Sequence, residues 1–301
     1  MALINTKNQF QMSEFKNIYH LYDAFIIDLW GVVHNGIEPY KGVIDCLQQL
    51  KSDNKSVLFL TNAPRPAAFI VQKLNDMGIQ VTSDELLTSG DVVREQLIQF
   101  SDPVFSKLGR KFFHLGENRN PDILAGILAQ SISTVDAASF VLLTAYINEG
   151  EDLNQYDKFL QDIAIRNLPV ICANPDKVIL NGTKLRYCSG FIAEKYEKIG
   201  GIVHYYGKPY KAIYAKAFER LKENNIQDKK RILMIGDTLE TDILGAKTVG
   251  IDSVLVKMGN AKILLEKNVQ LNMSELEVLS NLFKQQGIEP NWVIPGFRLN
   301  P

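Results

Sequence analysis

The sequence predicts an α/β protein built on a doubly wound parallel sheet. Two observations carry that reading. Short apolar runs recur without strict two-residue alternation, as suits strands buried on both faces. Between them lie stretches whose apolar residues fall at helical spacing. Residues 24–29 read Ala-Phe-Ile-Ile-Asp-Leu, an apolar run broken by one carboxylate. Val43, Leu47 and Leu50 follow at helical spacing, with Cys46 beside them. Residues 56–60 (Ser-Val-Leu-Phe-Leu) form the next strand. Pro66 opens a helical pattern through Phe69, Ile70, Lys73 and Leu74, and Gly78 ends it. The same grammar returns late in the chain. A strand at 202–205 precedes a helix at 211–224 with Ile213, Ala217 and Leu221 on one face. A strand at 231–235, a short helix at 241–249 and a strand at 252–256 complete the series.

The middle of the chain, about 103–202, reads as a separate unit. Strands are expected at 111–115, 140–144 and 169–173, with helical patterns between them such as 153–167. A cap at 103–202, inserted between core halves 1–102 and 203–301, accounts for this order. Periodicity alone equally allows two consecutive domains.

Composition narrows the function classes. Of 301 residues, 46% are hydrophobic and 22% charged, which excludes a disordered or low-complexity chain. The net charge of −1 removes any global reason to expect nucleic acid or an anionic membrane as partner. Cys46, Cys172 and Cys188 are far apart, form no CxxC and suggest no disulfide framework. The first ten residues lack the charged-then-apolar pattern of a secretory leader. No run reaches the roughly 18 apolar residues of a membrane span. A reduced, soluble, cytoplasmic protein is expected. Residues 291–297 (Asn-Trp-Val-Ile-Pro-Gly-Phe) are too apolar for a free tail. They are expected to pack on the core or on a second subunit, as in a homodimer.

In an open α/β sheet, ligands bind beyond the carboxyl ends of the strands. Four such ends carry polar residues. They deliver Asp28, then Thr61 with Asn62, then Lys208, then Asp237 with Asp242. A carboxylate such as Asp28 can attack phosphorus and form an aspartyl-phosphate. Asp28, Asp237 and Asp242 are hard oxygen donors of the kind Mg²⁺ prefers. A cation and Lys208 would neutralise charge on a transferring phosphoryl group, and Thr61 and Asn62 can hydrogen-bond its oxygens.

This constellation resembles class IIA of the haloacid dehalogenase-like phosphohydrolases, the branch of nitrophenyl- and sugar-phosphate phosphatases. The landmarks are Asp28-Leu29-Trp30-Gly31-Val32, Leu60-Thr61-Asn62, Ala173-Asn174-Pro175-Asp176, Gly207-Lys208-Pro209 and the stretch from Gly236 to Ile243. The resemblance implies a Rossmann-like core with an inserted α/β cap. It also implies Mg²⁺-dependent hydrolysis of a small phosphorylated metabolite, a sugar phosphate or a nucleotide-like molecule. It assigns Asp28 as nucleophile and metal ligand, Thr61 and Asn62 as phosphate binders, and Lys208 as the group orienting both. The metal would rest on Asp28, Asp237, Asp242 and the backbone carbonyl of Trp30. Asp176 and Lys177 fall where the cap reaches substrate.

One position departs from the family pattern. Trp30 stands where family phosphatases carry a second Asp, the general acid/base. General acid–base catalysis contributes about 10²–10⁴-fold, so a slow phosphatase is expected unless another group substitutes. His34 is the near candidate in sequence. Two other outcomes fit the same residues: a protein that binds a phosphorylated ligand with negligible turnover, and a related enzyme of different chemistry.

Overall fold

A computed structural model describes residues 10–116, 118–127, 131–268 and 273–300. Residues 1–9, most of the segment read above for a leader pattern, lie outside the described residues. The strands are β1 (Gln11–Met12), β2 (Ala24–Ile27), β3 (Ser56–Thr61), β4 (Leu86–Thr88), β5 (Phe112–Leu115), β6 (Ser131–Ile132), β7 (Phe140–Leu143) and β8 (Ile147–Asn148). There follow β9 (Val170–Cys172), β10 (Val178–Asn181), β11 (Lys184–Tyr187), β12 (Val203–Tyr205), β13 (Ile232–Gly236), β14 (Asp252–Val256) and β15 (Trp292–Ile294).

Seven strands form an all-parallel sheet in the order β1-β15-β14-β13-β2-β3-β4. Burial on both faces explains the unbroken apolar runs. Phe25 and Ile27, with Val57, Phe59, Leu233 and Ile235, join one core cluster. Ala24 and Ile26, with Leu58, Leu60, Ile232 and Met234, join another. The helices Val43–Ser52 and Ala67–Asp76 supply Leu47 and Leu74 to the first cluster. Ser89–Gln99 and Lys211–Glu223 supply Leu97 and Ile213 to the second. Helices therefore cover both faces, as the doubly wound expectation requires.

The segment between β4 and β13 builds two further sheets. One is parallel, in the order β12-β9-β7-β5-β6; the other is the antiparallel set β10-β11-β8. One face of the parallel sheet (Phe140, Leu142, Ile171) shares the core cluster that holds Leu60 and Leu97. Its other face (Val141, Leu143, Val170) packs on Ile163 and Ile192 of its own helices, Asp157–Ile165 and Ser189–Lys198.

Two expectations change. The strand at 203–205, expected to mark the return to the core, pairs instead with β9 and closes the edge of the inserted sheet. Its short run of Val-His-Tyr carries no signal that distinguishes the two sheets. The inserted unit thus runs past 202. Second, the antiparallel β10–β11 hairpin has no counterpart in the sequence reading, because its residues are only half-buried and mix charge with apolar groups. The apolar tail is an internal strand: β15 pairs with β14, and Phe297 is buried against Phe15. Among the described residues no helix is long and apolar enough to cross a membrane.

Candidate active site

The parallel register sets the site. Ile27 lies abreast of Phe59 and of Ile235, so Asp28, Thr61 and Asp237 emerge together at the carboxyl edge of β2, β3 and β13. The Asp28 amide still donates to the Ile235 carbonyl at 2.9 Å, which holds the residue on the sheet edge. Asp242 arrives by a different route. The chain after β13 winds into a wide π-type turn, Leu239–Ile243, and brings the carboxylate back. Asp242 Oδ2 there accepts the amides of Asp237 and Thr238 at 3.2 and 3.1 Å.

Lys208 is not at a core strand end, as the sequence suggested. It sits in the loop that leads from the inserted sheet back to the core helix Lys211–Glu223. Its buried ammonium bonds Asp28 Oδ1 and reaches Asp242 Oδ1 at 2.7 Å. Asn62 fixes this loop: its Oδ1 accepts the Lys208 amide at 2.7 Å, and its Nδ2 donates to the Lys208 carbonyl at 3.1 Å. Thr61 and Asn62 are both buried, and Thr61 Oγ1 accepts the Ala63 amide at 3.2 Å. Lys208 thus draws Asp28, Asn62 and Asp242 together.

Three buried carboxylates, Asp28, Asp237 and Asp242, present oxygens within 4.8 Å of one another. One ammonium faces them, which leaves an excess of negative charge when all are ionised. The consequence shows in the acids. Burial, with the Asp242 carboxylate, pushes the Asp237 carboxyl up to about 8. Burial also raises Asp28 well above the carboxylate range, against the pull of Lys208. On Lys208 burial alone would favour the neutral amine, but Asp242 and Asp28 outweigh it and hold the ammonium charged. Hard oxygen donors, crowded and short of positive charge, fit a divalent cation such as Mg²⁺.

A linkage follows. An acid whose folded pKa is raised destabilises the fold as pH rises from its unfolded value to its folded one. For Asp237 that window runs from 3.8 to about 8. The gain in melting temperature on adding Mg²⁺ should therefore grow between pH 5 and pH 8 and shrink in Asp237→Asn. An equal gain at both pH values would refute the linkage.

Backbone approach matters as much as side chains. Gly31 has φ +84°, and a Cβ there would lie 1.9 Å from Asp237 Oδ2; at Gly259 it would lie 2.0 Å away. Gly31→Ala should therefore displace Asp237 and cut turnover by at least about tenfold, a change that costs strain of roughly 1–3 kcal/mol. Wild-type kinetics in that variant would contradict the placement.

Asn260 is a site residue that sequence reasoning missed. Its amide donates to Asp237 Oδ2 at 2.6 Å, and its Nδ2 reaches Thr238 Oγ1 and the Val178 carbonyl at 3.0 and 3.1 Å. It ties the β10 strand to the Asp237 carboxylate. Its position just beyond β14 was the available signal, by the same rule that located Asp28.

The remaining expectations divide. Asp176 joins the site: Asn62 Nδ2 donates to its Oδ1 at 2.8 Å. Lys177 lies half-exposed and pairs with Glu194 at 2.9 Å. Both line a cleft of about 620 Å³ that runs from Asp237 to Tyr187, Tyr205 and Tyr210. His34 does not supply the missing acid. Its Nδ1 accepts the Gly36 amide at 2.9 Å, and burial, aided by Lys73, lowers its pKa to about 3. The ring is neutral at any working pH and serves the loop. Trp30 packs edge-on against His34, with centroids 5.1 Å apart, and lines a small cavity together with Ile179 and Leu180 of the hairpin.

Known proteins resemble this chain in sequence and fold. Residues 25–126 match the haloacid dehalogenase-like hydrolase family, and residues 205–274 match a second family described as HAD-hydrolase-like. An acid sugar phosphatase of Staphylococcus saprophyticus is 27% identical over 245 residues, 79% of this chain and 87% of that protein. A haloacid dehalogenase-like hydrolase from Brucella suis superposes with a TM-score of 0.76 at 29% identity, covering 95% of this chain and 99% of that one. A possible sugar phosphatase from Cytophaga hutchinsonii gives a TM-score of 0.76 at 22% identity over 97% of this chain and 100% of that one, a likeness of fold. The aspartates at the strand edge, the Lys208 loop and these matches agree, and the chain belongs to the haloacid dehalogenase-like hydrolases.

Proposed function

We propose that the chain is a Mg²⁺-dependent phosphomonoester hydrolase of small phosphorylated metabolites, sugar phosphates foremost. The observation that carries this is the buried group in which Lys208 bridges Asp28 and Asp242 beside Asp237. The sugar-phosphate preference rests on the curated relative's name. The three free, buried cysteines suit a reducing compartment, in line with a cytoplasmic enzyme.

Asp28, Asp237 and the Trp30 carbonyl would hold the Mg²⁺. Asp242, whose oxygens already engage Lys208 and two amides, keeps the assembly in place. When bound, the cation would supply positive charge to the phosphoryl oxygens. Asp28 attacks phosphorus and forms an aspartyl-phosphate as the P–O bond to the alcohol part breaks, and the departing alkoxide takes its proton from water. Lys208 steadies the nucleophile and the developing charge, and the Thr61 hydroxyl donates to a phosphoryl oxygen; the Asn62 side chain, already bonded to Lys208 and Asp176, holds the loop and leaves its backbone amide to the phosphoryl group. Water then cleaves the acyl phosphate and restores Asp28.

Purified protein should release phosphate from p-nitrophenyl phosphate and sugar phosphates with Mg²⁺ and stop with a chelator. Absence of turnover across such a panel would refute the proposal. Trp30 favours one second reading, ligand binding with negligible turnover, because its indole cannot protonate a leaving alkoxide. The two separate on leaving group. Without an acid at position 30, p-nitrophenolate should leave faster than an alkoxide. Trp30→Asp should then speed alkyl phosphates more than p-nitrophenyl phosphate, by up to about 10²-fold. Equal effects on both would mean that the pocket is organised around the indole.

A further inference from the structure

Trp30 has an occupant on its face. Lys73 Nζ lies 5.1 Å above the indole centroid. Lys73 comes from the core helix Ala67–Asp76, and the ring below it reaches the inserted hairpin at Asn181: a Cβ on Gly36 would lie 2.3 Å from Trp30 Cζ3 and 2.6 Å from Asn181 Oδ1. Ile179, two residues before Asn181 and so on the same face of β10, pairs directly with Arg186 across the β10–β11 ladder. Paired residues of an antiparallel ladder project from the same face, so Arg186 stands on the side of the hairpin that meets Trp30. Its guanidinium stacks 4.3 Å from the Tyr146 ring, and its Nε donates to Asn148 Oδ1 at 3.2 Å. Arg65 follows the site residue Asn62 by three positions, a span of at most about 11 Å.

These cations are poorly compensated. Among the described residues Lys73 makes no hydrogen bond to an acceptor, and neither Lys73 nor Arg186 has an ion pair. Arg65 pairs with Asp122 through one nitrogen, and its buried Nε has no partner. Burial, then Arg186 and Arg65, pull the Lys73 ammonium below the usual lysine range, in line with both guanidinium groups lying near it. The other titratable neighbour, His34, is neutral. Holding unpaired like charges on either side of a core–cap seam costs free energy that a bound anion would recover.

We infer that Lys73 and Arg186, with Arg65 beside them and Trp30 as the floor, form a subsite for a second anionic group on the substrate. The preferred substrate is then a phosphomonoester whose alcohol part carries a carboxylate or another phosphate. This inference rests on the hydrolase reading and deepens it. It also gives Trp30 a purpose that a vacant acid position lacks, since the indole seats the cation that would meet the leaving alcohol's charge.

Matched pairs of substrates test it, each compared by its specificity constant, kcat/KM. One pair is glycerate 3-phosphate with glycerol 3-phosphate; the other is fructose 1,6-bisphosphate with fructose 6-phosphate. The wild type should favour the doubly anionic member of at least one pair by about tenfold or more, and the preference should fall with added salt. Which pair shows it distinguishes carboxylate from phosphate. In Lys73→Met and in Arg186→Gln the preference ratio should shrink about tenfold. Equal values within both pairs, in protein that hydrolyses p-nitrophenyl phosphate, would overturn the subsite and leave the hydrolase intact. A preference unchanged in both variants would overturn it equally. Should no ester turn over, the hydrolase reading fails alone, and calorimetric binding of the same four compounds decides. Tighter binding of a doubly anionic member, weakened in the variants, supports the subsite; equal binding overturns it.

Discussion

Asp28→Asn is expected to abolish turnover, by roughly 10⁴-fold or more, while leaving the metal-free protein as stable as the wild type or more so. The activity loss follows from chemistry: a carboxamide is no nucleophile toward phosphorus, and losing a nucleophile removes the covalent route altogether. The stability gain follows from electrostatics. Asp28 is buried, and its carboxyl is raised by burial and by Asp242 and Asp237 despite Lys208. Its ionised form therefore weighs against the fold at neutral pH, and a neutral amide of the same shape removes that cost. The amide oxygen can still accept from the Lys208 ammonium. Melting curves without divalent cation, beside steady-state assays with Mg²⁺, separate the two effects. Residual turnover above about 1% of wild type would move the nucleophile elsewhere. A large fall in melting temperature would mean that the Asp28–Lys208 pair stabilises the fold more than the crowding of carboxylates strains it.

That pairing was only half legible in the sequence. Runs such as 24–29 and 56–60 are apolar on both faces because both faces of the sheet are covered, so β2, β3, β13 and β14 could be read closely. The strand-end rule then located Asp28, Thr61, Asn62 and Asp237, which the parallel register brings abreast. Three features escaped for a common reason: they depend on how separate segments dock. The strand at 203–205 has the same local pattern in either sheet, and only its partner β9 decides. The hairpin β10–β11 is half-exposed and gains its place from Asn260 and from the Gly182 amide, which donates to the Asn35 carbonyl at 2.8 Å. Lys73 reads as one more residue of an amphipathic helix, since nothing in a linear pattern shows an ammonium lying over an indole 43 positions away. Trp30 as a departure was visible at once, whereas what the indole holds was not.

Lys208→Met carries the second large expectation. The ammonium is the buried cation bonded to both Asp28 and Asp242. Removing one partner of a buried charge pair typically costs about 3–5 kcal/mol, because the remaining charges are left uncompensated. Here two carboxylates lose their partner at once, beside a third at Asp237. The loss should depend on pH. At pH 5 the raised acids, Asp28 and Asp237, can take up protons and relieve the repulsion; as the pH climbs to 8 they lose part of that capacity, so destabilisation should be greater there. Mg²⁺ should restore part of the stability by supplying the missing charge, yet not the activity, which should fall about 10²–10³-fold for want of a donor to the phosphoryl group. Lys208→Arg separates charge from shape. It keeps a cation but must fit a larger planar group into a fully enclosed site, so it should recover pH-dependent stability better than turnover. Urea unfolding at both pH values, with and without Mg²⁺, reads the stability half; phosphate release reads the other. A Lys208→Met protein as stable as wild type at pH 8 without cation would show that the carboxylates are neutral there, and the case for a divalent cation at Asp28 and Asp237 would fall with it.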